Sequence, residues 1–197
     1  MSRKEQPLID YINRIVELSE EEEEQILLSG IKTRRYLKGQ YILQQGDVCS
    51  ISAFVLKGCT KTFYLDDQGQ EHVIMFSIED WWTSDLASFI TQTPSDFNVQ
   101  CLENTEVVLF PYETHDKLLK EVPILERFFR KIIERAFVAS QKRVVRNLSM
   151  SARDRYLYFR KQYPLIEQRV PQYLIASYLG ITKEFLSKIK SQLIQEQ

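Results

Sequence analysis

The spacing of hydrophobic positions changes character along the chain. From Leu8 to Leu28, residues Ile9, Ile12, Ile15, Val16, Ile26 and Leu27 recur at helical intervals, and Ser19 precedes a run of glutamates from Glu20 to Glu24. A serine followed three residues later by Glu22 fits a capping box, and acidic residues suit the positive end of a helix, so two short helices are predicted. Between Ile31 and Phe110 the pattern shortens to β-rich runs: Ser52 to Val55, Lys61 to Leu65, His72 to Phe76 and Val107 to Phe110. Turn residues around Gly39, Gly46, Gly58 and Gly69 separate them. Short runs rich in Val, Ile, Phe and Tyr, at intervals of about ten residues, predict a β-sandwich or roll. Asp85 to Ile90 interrupts them with one or two helical turns.

Beyond Pro111 the helical period returns. Pro123 suits the first turn of a helix, and neither proline nor glycine follows before Asn147. At about 1.5 Å per residue this helix reaches about 40 Å, twice the roughly 20 Å width of a small roll. Its apolar residues, among them Leu125, Phe128, Ile132, Phe137, Val144 and Leu148, serve more than one face. One face is expected to cover the roll and another to meet a second copy of the chain. Ser151 to Lys161 forms a further helix, ended by Tyr163-Pro164. A helix from Gln172 to Leu179 then meets Gly180, a residue suited to the positive φ of a sharp turn, and Thr182 caps the next helix. On that helix Phe185, Leu186 and Ile189 are expected to face the core, with Lys183, Glu184, Ser187, Lys188 and Lys190 outward.

Charge divides the chain where the pattern does. Residues 1–140 carry 15 basic and 23 acidic side chains, a net −8, whereas residues 141–197 carry 11 and 4, a net +7. A basic end on an acidic body is the electrostatic footprint of a protein that brings one part to phosphates. No apolar run approaches the roughly 20 residues that span a bilayer. The polar stretch Met1 to Glu5 lacks the pattern of a secretory signal, which predicts a soluble cytoplasmic protein. Cys49, Cys59 and Cys101 are odd in number and widely spaced, as buried reduced thiols would be, and suit neither a disulfide framework nor paired metal knuckles.

The segments Ile175 to Thr182 and Leu186 to Lys190 resemble the helix-turn-helix signature of the Crp/Fnr transcription regulators, in particular a Bacteroidetes-like branch. The resemblance extends over nearly the whole chain. It implies an α+β fold: an N-terminal double-stranded β-helix (jelly roll) related to cyclic-nucleotide-binding domains, a long dimerisation helix, and a winged-helix-like C-terminal domain. The corresponding boundaries are 1–122, 123–148 and 149–197. Lys183, Glu184 and Lys188 then fall where such regulators place base-contacting Arg, Glu and Arg. Glutamate can accept from a cytosine amino group and lysine can donate to guanine, though without the bidentate fork of arginine. Ser187 shares that outward face, and Gln172, Thr182 and Lys190 are expected at phosphates, where contacts position the helix without reading sequence. The implied partners are double-stranded DNA with a two-fold symmetric operator, a second copy of the chain, and RNA polymerase.

The sensor end departs from the family. Cyclic-nucleotide binders carry Gly-Glu-Leu at the short helix and an Arg-Ser or Arg-Thr pair after the next loop. The matching residues here are Ser84, Asp85 and Leu86, then Ser95 and Asp96. Loss of the phosphate-binding arginine and gain of a carboxylate both oppose an anionic ligand, so cyclic AMP is not expected there. No cofactor is expected, and an unidentified small-molecule effector remains open. Three cysteines fall short of an iron–sulfur cluster. A cupin-type metalloenzyme would need clustered histidines, but the chain's two, His72 and His115, lie 43 residues apart. Haem ligation by either is a weaker reading than an ordinary hydrogen-bonded histidine. The remaining alternative is a ligand-binding or interaction module of the same fold without DNA binding.

Overall fold

A computed structural model describes residues 4–196; Met1 to Arg3, part of the polar start read above, and Gln197 lie outside it. Helices α1 (Gln6–Asn13) and α2 (Glu20–Leu28) open the chain. The Ser19–Glu22 capping box is formed in both directions, with Ser19 N–H donating to the Glu22 carboxylate at 2.8 Å and Glu22 N–H to Ser19 Oγ at 3.3 Å.

Eight strands follow: β1 (Lys32–Tyr36), β2 (Tyr41–Leu43), β3 (Ile51–Lys57), β4 (Thr60–Leu65), β5 (Glu71–Ser77), β6 (Trp82–Thr83), β7 (Asn98–Cys101) and β8 (Thr105–Pro111). Helix α3 (Leu86–Thr91) lies between β6 and β7. The strands form two antiparallel sheets, ordered β1-β8-β3-β6 and β2-β7-β4-β5, which make up the jelly roll. Of these, β1, β2, β6 and β7 were not anticipated as separate runs. The β3–β4 turn closes so tightly that a Cβ on Gly58, at φ +114°, would lie 2.7 Å from the Thr105 Cα, so only glycine fits.

Part of each sheet is covered on its outer face as well as its inner one, so Ala53, Phe54 and Val55 of β3 are buried in succession. Ala53 and Val55 of β3 pack with Tyr36, Cys101 and Val107 inside the roll. Phe54 points the other way, into a cluster with Leu8, Ile12 and Ile26 of the N-terminal helices and Leu125 and Phe128 of the long helix. All three cysteines are buried and unpaired, and burial pushes the Cys59 thiol up to about 12.

The C-terminal part contains α4 (Tyr112–Glu121), α5 (Ile124–Ser149), α6 (Ala152–Gln162), α7 (Pro164–Arg169), α8 (Gln172–Leu179) and α9 (Lys183–Gln195). Helix α7 corrects one expectation. Pro164 ends α6 but also starts a new helix, because the fixed φ and missing N–H of proline are tolerated in a first turn. The unit after α5 is all-helical among the described residues, without the strands of a wing.

The two halves of α5 differ. Its first half buries Leu125 and Phe128, whereas the second leaves Phe137, Val144, Val145 and Leu148 exposed, the last at 85%. The helical unit docks on the second sheet. Cys59, Phe63, Val73 and Phe76 of the roll share one core with Phe159, Val170, Leu174, Ile175 and Leu179.

Candidate nucleic-acid interface and effector pocket

Helix α8 stops where its sequence requires. Gly180 is left-handed at φ +66°; its N–H donates to the Ser177 carbonyl and that of Ile181 to the Ala176 carbonyl, each at 3.0 Å. This paired closure satisfies carbonyls that a helix end otherwise strands. Thr182 then starts α9, its Oγ1 accepting from Phe185 N–H at 3.2 Å. Leu186 and Ile189 are buried with Leu174, Ile175 and Ala176 of α8, and the smallness of Ala176 lets the two helices approach.

The expected DNA-facing residues fall into two groups. Lys183, Glu184, Ser187 and Lys188 are exposed, and among the described residues their side chains have no hydrogen-bond or ion-pair partner. Gln172 and Lys190 are half-buried and bonded to each other, Lys190 Nζ donating to Gln172 Oε1 at 3.0 Å. Lys190 also lies 3.5 Å from the Glu167 carboxylate, which accepts from the Tyr156 hydroxyl at 3.0 Å. Burial, reinforced by that bond to Glu167, pushes the Tyr156 phenol up to about 12. Both residues therefore spend part of their bonding capacity joining α7, α8 and α9. Phe185 departs from expectation. It is 47% exposed and lies outside the core that Leu186 and Ile189 join.

The docking onto the roll has polar anchors. Strand β5 is a sheet edge, and Ser177 of α8 accepts from Val73 N–H at 3.0 Å while donating to the Glu71 carbonyl at 2.9 Å. The free edge is thus occupied by a side chain from over a hundred residues away. Arg143 of α5 donates to the Ile74 carbonyl and, at 3.2 Å, to the Tyr178 carbonyl. Arg169 pairs with Glu79 at 2.7 Å and with Glu103. Burial opposes ionisation of Glu79, but hydrogen bonds from Arg169 and the Gly58 amide outweigh it and hold its pKa at about 2.

At the effector end, Asp85 caps α3. Its Oδ1 accepts from Ala87 N–H at 3.0 Å and Ser88 N–H at 3.2 Å, and its Oδ2 from Ser95 Oγ at 2.8 Å. Ser95 Oγ in turn accepts from Phe97 N–H at 3.0 Å. Asp85 and Ser95 are thus brought together, buried and mutually satisfied, whereas Leu86 and Asp96 are exposed and Ser84 is half-buried beside Asp85. Sequence reasoning missed three further groups. Thr60, Thr62 and Thr83 have buried hydroxyls without a partner among the described residues. Their strand partners Cys101, Val99 and Ala53 belong to the roll's inner clusters, so all three face inward. Lys61 lies on the opposite face of β4, paired with Glu71. His72 pairs with Asp66 at 2.7 Å, and His115 packs among Phe89, Phe110 and Phe129.

Residues 33–122 match the cyclic nucleotide-binding domain family. The transcriptional activator protein Anr of Pseudomonas aeruginosa is 27% identical over 172 residues, covering 80% of this chain and 68% of that protein. The fold is shared with FixK2 from Bradyrhizobium japonicum, at 15% identity and a TM-score of 0.73 over 84% of this chain and 85% of that one. It is also shared with a Crp/Fnr-family regulator from Eubacterium rectale, at 16% identity and a TM-score of 0.72 over 95% and 88%. With a cyclic-nucleotide-binding domain, a long helix and a helix-turn-helix in that order, and four-fifths of its length matched to a transcriptional activator, the chain is similar throughout to the Crp/Fnr regulators.

Proposed function

We propose that the chain is a homodimeric, sequence-specific DNA-binding transcription regulator, working in the cytoplasm and not an enzyme. The observation that carries this reading is the outward face of α9: Lys183, Glu184, Ser187 and Lys188, exposed at the start of the second helix of a helix-turn-helix and committed to no partner among the described residues. Recognition helices enter the major groove by their N-terminal residues. Lys183, Glu184 and Lys188 are assigned to base edges, Ser187 to the same face, Thr182 to a phosphate, and Gln172 and Lys190 to phosphates through whatever capacity their internal bonds leave.

The exposed stripe on α5, Ile133, Phe137, Val144 and Leu148, supports a dimer, since apolar residues exposed at steps of four and seven along one helix suit packing against a copy of themselves. Residues 1–122 would then be the sensor, 123–148 the dimerisation helix and 149–197 the DNA-binding part. Paired recognition helices about 34 Å apart would meet successive major grooves on one face of the duplex. RNA polymerase is the further partner proposed for a DNA-bound activator.

For the sensor, the Asp85–Ser95 pair supports an effector other than cyclic AMP. A cyclic phosphate would find a carboxylate whose oxygens already accept hydrogen bonds and, among the described residues, no guanidinium bonded to it. The inward hydroxyls of Thr60, Thr62 and Thr83 suit a neutral, hydrogen-bonding ligand better. A signal in the roll has two routes to the DNA-binding part: along α5, which Arg143 ties to β5, and directly, from β5 to Ser177 and from Glu79 and Glu103 to Arg169. Any effector must favour one arrangement over the other to shift the balance.

The test is selection from a randomised duplex pool with the purified chain, at two salt concentrations, with and without cyclic AMP. Enrichment of a two-fold symmetric motif, weakened by salt and indifferent to cyclic AMP, is the expected result. A cyclic-AMP requirement overturns the sensor reading. Absence of enrichment in every condition favours the interaction-module alternative.

A further inference from the structure

Phe185 stands where a core residue was expected, yet the structure turns it outward. It is the third residue of α9, held there by its N–H bond to Thr182 Oγ1, so its Cα belongs to the helix's most firmly capped turn. Lys188 lies three positions after it and Glu184 directly before it. On a helix this places Phe185 on the same side as Lys188, beside the face assigned to base contacts. It is 47% exposed, and its exposed neighbours Lys183, Glu184, Ser187 and Lys188 are all polar.

Local structure does not call for phenylalanine here. Its helix propensity is middling, and Leu186 and Ile189 supply the packing against α8. Scattered exposed apolar residues are ordinary on protein surfaces, but this one lies in the first turn of the helix that the proposed function sends into the major groove. On the floor of that groove the thymine C5-methyl is the apolar group, and phenylalanine is among the side chains that contact it. The flanking cations are lysines, which lack the two-pronged guanine recognition of arginine, so an apolar contact would contribute a larger share of the discrimination.

We propose that Phe185 is a specificity-determining residue that reads a thymine methyl in each half-site of the operator. The inference rests on the DNA-binding reading above. Burying one methyl group against the ring is worth roughly a fourfold difference in affinity per half-site.

Substituting deoxyuridine for thymine removes that methyl and leaves the hydrogen-bonding edge and backbone unchanged. Using the full chain and its selected operator, each thymine is replaced in turn by deoxyuridine and affinity is measured by fluorescence anisotropy. The wild-type chain is expected to lose roughly fourfold at one symmetry-related position, and roughly 16-fold when both half-sites are changed together. Phe185→Ala should bind the thymine operator as weakly as the wild type binds the deoxyuridine operator and be indifferent to the exchange. Phe185→Leu, which keeps an apolar side chain, should retain part of the difference, and unchanged melting temperatures establish that the variants fold. If Phe185→Ala weakens both operators alike, or if no thymine shows an effect that vanishes in the variant, methyl reading by Phe185 is overturned. Failure of the DNA-binding reading is distinct: the wild-type chain then enriches no duplex at all, and the inference falls with it.

Discussion

The polar residues at the two ends of the molecule are committed in opposite ways. In the roll, Asp85 accepts two backbone amides and the Ser95 hydroxyl, and Ser95 accepts the Phe97 amide, so the pair where a phosphate clamp would be expected is closed on itself. On α9, Lys183, Glu184, Ser187 and Lys188 project with no protein partner among the described residues. A buried polar group without a partner is costly, whereas an exposed one is solvated by water and remains available. On the proposed reading α9 therefore keeps its chemistry free for DNA, while Asp85 and Ser95 spend theirs on each other and on the backbone.

The sharpest break of that comparison would come from the surface proposed to join two copies of α9. Phe137→Asp combined with Leu148→Asp places charges on the exposed stripe of α5. Sedimentation should then report a monomer, and operator affinity should fall by about a hundredfold or more as one half-site's contribution is lost. A variant that remains dimeric would show that the stripe is not the interface.

Within α9, Lys188→Ala is expected to lower operator affinity by roughly tenfold, in the range of about 1–3 kcal/mol for a base contact. Lys190→Ala should affect affinity less and stability more, because its ammonium also ties Gln172 to Glu167. Titrations with both variants and thermal melts of the free chains separate the two; equal losses of affinity would erase the distinction between free and committed lysines.

At the roll, Asp85→Ala strands two amides and the Ser95 hydroxyl. A loss of about 2–3 kcal/mol is expected from chemical denaturation, combining a lost helix cap with buried donors left unpaired. Millimolar cyclic AMP should leave the wild-type melting temperature unchanged. A rise would mean that the pair opens to admit an anion.

The smallest effect belongs to the interdomain clamp. The pKa of Glu79 is held at about 2, below its ordinary 4.5, so its contribution to stability is fully present above pH 4.5 and is lost as pH falls toward 2. Glu79 keeps 38% of its side chain exposed, and solvent screening reduces the clamp to about 1 kcal/mol. Arg169→Gln should reduce that acid dependence to what the Gly58 amide sustains and speed hydrogen exchange at the Val73 amide on the β5 edge. Unchanged exchange would show that the apolar core between roll and helices holds the docking alone.

Much of the DNA-binding end was legible because its signals are local. Gly180 ends α8, Thr182 caps α9, and Leu186 and Ile189 recur at helical spacing, each judged from a few neighbours. Phe185 was misread because it adjoins those two core residues, while the buried arc of α9 is too narrow to include it. Pro164 was misread as a stop alone because a proline that ends one helix can equally begin the next. The roll was legible as a class, but β6, two residues long, exists only by pairing with β3.

By itself, the sequence determined the change from helices to β-rich runs and back to helices, most of the caps and turns, the split of charge between body and tail, and the absence of a phosphate-binding arginine after α3. These depend on residue type and short spacing. Tertiary structure alone decided that Ser95 closes on Asp85, that Ser177 occupies the β5 edge, and that Arg169 bridges Glu79 and Glu103. Ser95 lies ten residues from Asp85, and the partners of Ser177 and Arg169 are 66 or more residues away. A side chain's hydrogen-bonding capacity is set by its chemistry, but which atom uses that capacity is set by where the folded backbone brings it.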